Sequence, residues 1–106
     1  MEFRVELARA AEADLESLYL WLIGQAPNQG AAWFNGLERS IASLSKLPRR
    51  CSVALESFDD RREVRVLHYG RGSRAFRILF TIDEAAGVVY VLHVRRGSRR
   101  AISLGR

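Results

Sequence analysis

The 106-residue sequence predicts an α+β domain in which an N-terminal strand and an antiparallel helical hairpin precede three antiparallel strands, the helices covering one face of the sheet. Three observations carry this reading. Residues 3–7 alternate apolar and charged side chains, the period of a strand with one buried face. Residues 11–44 repeat apolar side chains at helical spacing, and residues after 64 fall into three strand-like runs joined by glycine-containing turns.

In the first strand Phe3, Val5 and Leu7 alternate with Glu2, Arg4 and Glu6. After Ala8 the period changes. Ala11, Leu15, Leu18, Tyr19 and Leu22 recur at helical spacing, with Glu12, Asp14 and Glu16 in the early turns, where acids favour the helix dipole. Gly24 to Gly30, containing Pro27 and Asn28, breaks the pattern; Phe34, Leu37, Ile41 and Leu44 resume it until Pro48 stops it. A short joint between long helices makes them antiparallel neighbours. Trp21 and Trp33 flank the apolar stripe and read as packing residues rather than a ligand cage. Arg49 to Arg62 has no sustained period and reads as a surface connection, in which Cys51 lacks the setting of a nucleophile. The strands Val64–Tyr69, Arg74–Ile82 and Val88–Arg95 follow, joined at Gly70–Ser73 and Asp83–Gly87.

This length predicts one domain over residues 1–106 that buries roughly 60 to 70 per cent of its unfolded surface. The longest apolar run, around Leu18–Ile23, falls well short of the about 20 residues that cross a bilayer, so no membrane partner is expected. The N-terminus lacks the pattern of a secretory signal, and a single cysteine forms no internal disulfide; both point to the cytoplasm. No phosphate loop, dinucleotide fingerprint, serine elbow or paired-carboxylate motif stands in the chain, and no cofactor is expected.

Charge is divided unevenly. Residues 1–60 hold 6 Lys or Arg against 9 Asp or Glu, whereas residues 61–106 hold 11 Arg against 3 acids, so −3 and +8 make the net +5. Arginine presents a planar fork that meets phosphate or carboxylate at two points, which makes an anionic partner plausible beside the plainer reading of a solvated charged face.

If the Asp83–Gly87 hairpin closes symmetrically, Phe76, Ile78, Phe80 and Ile82 oppose Val94, Leu92, Tyr90 and Val88, an apolar face that belongs under the helices. The apolar pattern argues against a bulge there. The other face then holds Arg77 opposite His93, Leu79 opposite Val91, Arg95 one step on, and Val64, Val66 and His68 from the preceding strand. On this reading Arg77, His93 and Arg95 bind a phosphate, with His93 able to move protons near neutral pH. The alternative is that Arg77 reaches a carboxylate such as Glu63 or extends to water. His68 and His93 would lie about 10 Å apart across the middle strand, so no metal centre is expected. The tail continues through Arg96, Arg99 and Arg100, a basic run suited to a phosphate backbone or an acidic partner segment.

The order of these elements resembles the RelE/ParE superfamily of bacterial toxins. The matching stretches are Ala13 to Leu22, Ile41 to Pro48, Phe76-Arg77-Ile78-Leu79-Phe80, and Val89-Tyr90-Val91-Leu92-His93-Val94-Arg95. The resemblance implies a two-layer fold and a toxin of a type II toxin–antitoxin module, held in a hetero-oligomer by a cognate antitoxin whose C-terminal segment wraps it. RelE-like members cleave messenger RNA in the ribosome; ParE-like members poison DNA gyrase. For cleavage, Arg77 matches the family's arginine on its third strand, Arg96 or Arg99 stands for the one after the last strand, and His93 would serve as a substitute base. The second-strand positions that carry lysines in RelE fall near Val66 and His68, and no tyrosine follows Arg100. The long hairpin ending at Pro48 is more similar to ParE. The implied function is gyrase inhibition, with Arg77, His93 and Arg95 catalytic only if the chain is a ribosome-dependent nuclease, and His68, Arg96, Arg99 and Arg100 as anion or nucleic-acid contacts. A non-toxic nucleic-acid-binding module is the third reading.

Overall fold

The computed structural model describes residues 2–58 and 62–97. Strand β1 (Arg4–Leu7) leads into helices α1 (Arg9–Gln25) and α2 (Pro27–Ala42), followed by β2 (Ser52–Val53), β3 (Arg65–Tyr69), β4 (Phe76–Asp83) and β5 (Val88–Arg96). One five-stranded sheet has the order β1-β5-β4-β3-β2. It is antiparallel except at β1, which runs parallel to β5 from Arg4 beside Val88 to Leu7 beside Val91. The expected α+β order holds, and two features are added to it: the parallel edge pair and the short strand β2.

The helices pack on one face of this sheet. Leu15, Leu18 and Leu22 of α1 and Phe34, Leu37 and Ile41 of α2 meet Phe76, Ile78 and Phe80 of β4 and Val89, Val91 and Val94 of β5. Burying side chains of this kind contributes about 1.5 to 3 kcal/mol each, so this cluster is the main source of stability. Trp33 lies in the same layer, edge-on to Tyr69 with ring centroids 5.1 Å apart and tilted against Phe76 at 5.4 Å. It is a packing residue, as expected.

The joint between the helices is tighter than the expected break from Gly24 to Gly30. Only Ala26 leaves the helical conformation, and Pro27 opens α2, where its missing N–H costs nothing. Gly30 therefore sits inside α2. A Cβ there would lie 2.6 Å from the Leu22 carbonyl oxygen, so glycine is what lets the two helices approach. At the far end of α2, Leu47 takes a left-handed conformation (φ 48°, ψ 53°) next to Pro48. Arg50 holds this turn by donating from Nη1 to the carbonyls of Lys46 (2.6 Å) and Leu47 (3.2 Å) and from Nη2 to Ser43 Oγ (2.8 Å), satisfying acceptors that a helix end leaves open.

Two expectations are corrected here. The β4–β5 register is not symmetric about the turn: Ile82 faces Val89, Thr81 faces Tyr90 and Phe80 faces Val91, then a bulge at Leu92 lets Leu79 face His93 and Arg77 face Arg95. Val89 and Val91 consequently point to the helices, while Tyr90 is exposed and Leu92 packs with Ala54, Val64, Val66 and Leu79 on the opposite face. Residues 88–92 are apolar at both parities, so alternation could not reveal the extra residue. Arg49–Arg62 is likewise more than a surface connection, since Cys51, Ala54 and Glu56 within it are buried.

The close approach at Gly30 predicts opposite outcomes for two alanine substitutions in the hairpin. Gly24 has open space around its missing Cβ, so Gly24→Ala should raise stability by about 0.5 kcal/mol through helix propensity. Gly30→Ala should lower it by more than about 1 kcal/mol, because the added carbon meets backbone. Urea unfolding of the two variants checks both signs.

Candidate functional site

Arg77 lies mid-sheet on the face away from the helices, with His68 beside it on β3 and Arg95 beside it on β5. The backbone thus brings together the strand positions expected of an anion site. The side chains then diverge. Arg77 is 3% exposed and forms a two-point ion pair with Glu56, which is 0% exposed: Nη1 lies 2.6 Å from Oε2 and Nη2 2.7 Å from Oε1. Glu56 belongs to the 3-10 turn Leu55–Phe58, which follows β2 and lies over this part of the sheet. The carboxylate that Arg77 reaches is therefore Glu56 and not Glu63, whose partners are Arg49 and Arg65.

His93 and Arg95 turn instead to Asp14 on α1. Asp14 Oδ1 accepts from Arg95 Nη1 at 2.5 Å, and Oδ2 accepts from the Val94 backbone N–H at 2.9 Å. This amide lies beyond the end of β1, where that edge of β5 has no strand beside it, so the carboxylate takes the place of a ladder partner. His93 Nδ1 is buried 3.8 Å from Asp14 Oδ2, too far for a hydrogen bond. Burial and then the Arg95 charge push the His93 pKa down, more strongly than Asp14 pulls it up. The shift favours the neutral imidazole, which can accept a proton but does not hold phosphate by charge.

His68 is exposed, and a groove of about 330 Å³ beside it is lined by Tyr69, Gly70, Arg71, Gly72, Ala75 and Phe76. Arg96 leaves β5 on the helix side and lays its guanidinium over the rings of Trp21 (4.9 Å) and Phe76 (5.7 Å), a cation–π arrangement. Arg99 and Arg100 lie outside the described residues. Cys51 is buried and its pKa is raised by that burial, against the pull of Arg50 and Arg65, which fits an inert thiol. Among the described residues no group of His, Cys, Asp and Glu converges to hold a metal ion, and no helix is long and apolar enough to cross a membrane.

The two carboxylates that organise this face were not singled out in the sequence. For Asp14 a signal existed: it stands three residues after Ala11 and four before Leu18, on the buried stripe of the helix. For Glu56 there was none, because its segment has no period.

Two measurements follow from these pairings. Glu56→Ala removes the carboxylate that meets the buried Arg77 guanidinium at two points and should cost about 3 to 5 kcal/mol, read by denaturant unfolding. His93 has a folded pKa below the ordinary 6.5, so the unfolded chain takes up its proton first as acid is added. Its contribution to stability is present above pH 6.5 and is lost as the pH falls through the folded value. Unfolding curves between pH 7.5 and 5 should show this loss, and His93→Gln should flatten it.

With this geometry in view, comparison with known proteins gives a consistent result. Residues 5–101 match the family described as the ParE toxin of type II toxin-antitoxin system, parDE. Among solved structures, the fold is similar to a chain of the chromosomal ParDE toxin–antitoxin system from P. aeruginosa, with a TM-score of 0.71 and 17% identity over 92% of this chain and 98% of that one. It is also similar to an arginine-to-alanine double mutant of the E. coli toxin RelE in the free state, with a TM-score of 0.60 and 16% identity over 89% and 82%. The RelBE2 toxin–antitoxin complex from Mycobacterium tuberculosis gives a TM-score of 0.57 and 24% identity over 92% and 93%. A search of curated proteins finds no match. At these identities the structural likeness is one of fold; the sequence match over nearly the whole chain carries the assignment, and the chain belongs to the ParE toxin family of type II toxin–antitoxin systems.

Proposed function

We propose that this toxin arrests bacterial growth by binding and inhibiting DNA gyrase in the cytoplasm, without catalysis of its own, and that a cognate antitoxin neutralises it in a hetero-oligomer. The observation that carries the choice of target is the buried pair between Arg77 and Glu56. Cleavage of a phosphodiester needs cations that face the scissile phosphate and are free to meet its developing charge. Arg77, the arginine in the family's third-strand position, is sealed under the Leu55–Phe58 turn, and Arg95 is held by Asp14. A protein that acts by occupying a surface of its target has no need of either guanidinium free of its carboxylate. Membership of the ParE family supports the same reading, and the toxin–antitoxin complexes among its structural neighbours support an antitoxin partner.

Purified toxin added to gyrase and relaxed plasmid should abolish supercoiling, while messages in a translating extract stay intact. Arg77→Ala would unfold or weaken the domain, so the informative variant is His93→Gln, which should retain full inhibition of gyrase. Cleavage of messages with supercoiling untouched, lost in His93→Gln, would establish the nuclease reading instead. Harmless expression of the free chain in cells would leave only a non-toxic binding module.

A further inference from the structure

Five of the described arginines are held by carboxylates. Arg4, Arg49, Arg65, Arg77 and Arg95 each meet a carboxylate, respectively Glu6, Glu84, Glu63, Glu56 and Asp14. Of the others, Arg9 and Arg39 stand on the helices and Arg50 caps the turn after α2, whereas Arg71, Arg74 and Arg96, which meet no carboxylate among the described residues, lie together at one end of the sheet. Tyr69 pairs with Phe76 and Phe76 with Arg96, while the Gly97 N–H donates to the Ala75 carbonyl at 2.9 Å. The end of β5 is thereby stitched to the β3–β4 hairpin that bears Arg71 and Arg74. His68 opens onto the groove beside that hairpin. Neither residues 70–75 nor residues 93–97 contain an acid.

The hairpin crown, Gly70-Arg71-Gly72-Ser73-Arg74, is built to carry charge close to a ligand. Gly70 (φ +84°) and Gly72 (φ +57°) take conformations that L side chains rarely adopt, and a Cβ on Gly70 would fall 1.9 Å from the Arg74 carbonyl oxygen. The crown is thus held narrow and exposes only glycine, serine and arginine, with no apolar side chain for a protein partner to cover. Single-stranded nucleic acid calls for open aromatic faces on which bases stack. Here Arg96 already lies over the ring of Trp21, which keeps 43% of its surface exposed, and Trp33, Tyr69 and Phe76 pack on one another. Cations spread over an end whose aromatic rings already have partners fit the regularly spaced phosphates of a duplex.

We infer that this end of the molecule, formed by Arg71, Arg74 and Arg96, is a contact for the phosphate backbone of duplex DNA. The contact belongs to the toxin itself and goes beyond the gyrase reading without resting on it. It is independent of sequence, since nothing at the crown reads base edges.

The test is fluorescence anisotropy of a labelled 20-base-pair duplex titrated with the full chain, in the absence of gyrase, between 50 and 200 mM salt. Three neutralised phosphates predict an affinity that falls about 40-fold over that range, with a log–log slope steeper than about −2.5. Arg71→Ala, Arg74→Ala and Arg96→Ala should each reduce the slope by about 0.9, and Arg71→Glu with Arg74→Glu should abolish binding while circular dichroism stays native. Arg49→Ala, a carboxylate-paired arginine outside this end, should bind within twofold of the parent. Unchanged affinity in the three arginine-to-alanine variants would overturn the inference, as would tighter binding of single-stranded RNA, or capture of poly-glutamate with no affinity for the duplex. Loss of duplex binding with gyrase inhibition intact would overturn a role for this contact in inhibition but not the contact itself.

Discussion

The pairing of Arg77 with Glu56 sets the layout of the face that the helices leave uncovered. An arginine in the middle of a central strand cannot be left in an apolar setting without a counter-charge, and at mid-sheet it has no short route to water. The chain answers by bringing the turn Leu55–Phe58 over the strand, so that a carboxylate with no exposed surface meets the guanidinium at two points. Docking of that turn in turn brings Ala54 against Val64, Val66, Leu79 and Leu92, a second small core on the far side of the sheet. Arg65 strengthens the arrangement by donating to the carbonyls of Arg49 and Cys51 on the segment that leads into it.

A second carboxylate performs a related task at the sheet's other side. Asp14 joins α1 to β5 through the Val94 amide and Arg95, and it does so where β1 has ended. The helical hairpin is therefore fixed to the sheet by polar bonds at the strand edge as well as by the apolar layer beneath it. Both arrangements tie an arginine to a carboxylate, Arg77 in the interior and Arg95 at the strand edge. The consequence for function is that Arg71, Arg74 and Arg96, at the β3–β4 hairpin and the end of β5, stand apart from the paired arginines of the sheet's centre.

Much of this was legible in the sequence, and the reasons are physical. The helices and the last three strands follow from periodicity, because each buries one stripe or one face. The resemblance to the toxin superfamily rested on the order of those same elements. What escaped was of two kinds. The register of β4 on β5 depended on alternation in a run, Val88 to Leu92, that is apolar at every position, so the bulge left no trace. The partner of Arg77 lay 21 residues away in a segment without a period, and only the three-dimensional arrangement names it. Asp14 is the instructive intermediate case. Its place on the buried stripe of α1 was visible, but acids in the early turns of a helix have an ordinary explanation in the helix dipole, and that explanation hid the other.

The bulge at Leu92 has one more consequence. From that point β5 runs on without β1 beside it, and a bare strand edge invites the same edge of another molecule to pair with it. The extra residue twists the strand just where its neighbour stops, and the Asp14 carboxylate has already claimed the Val94 N–H that a newcomer would need. Self-association through this margin is disfavoured by geometry and by the loss of a donor, with no proline or lysine spent on guarding it.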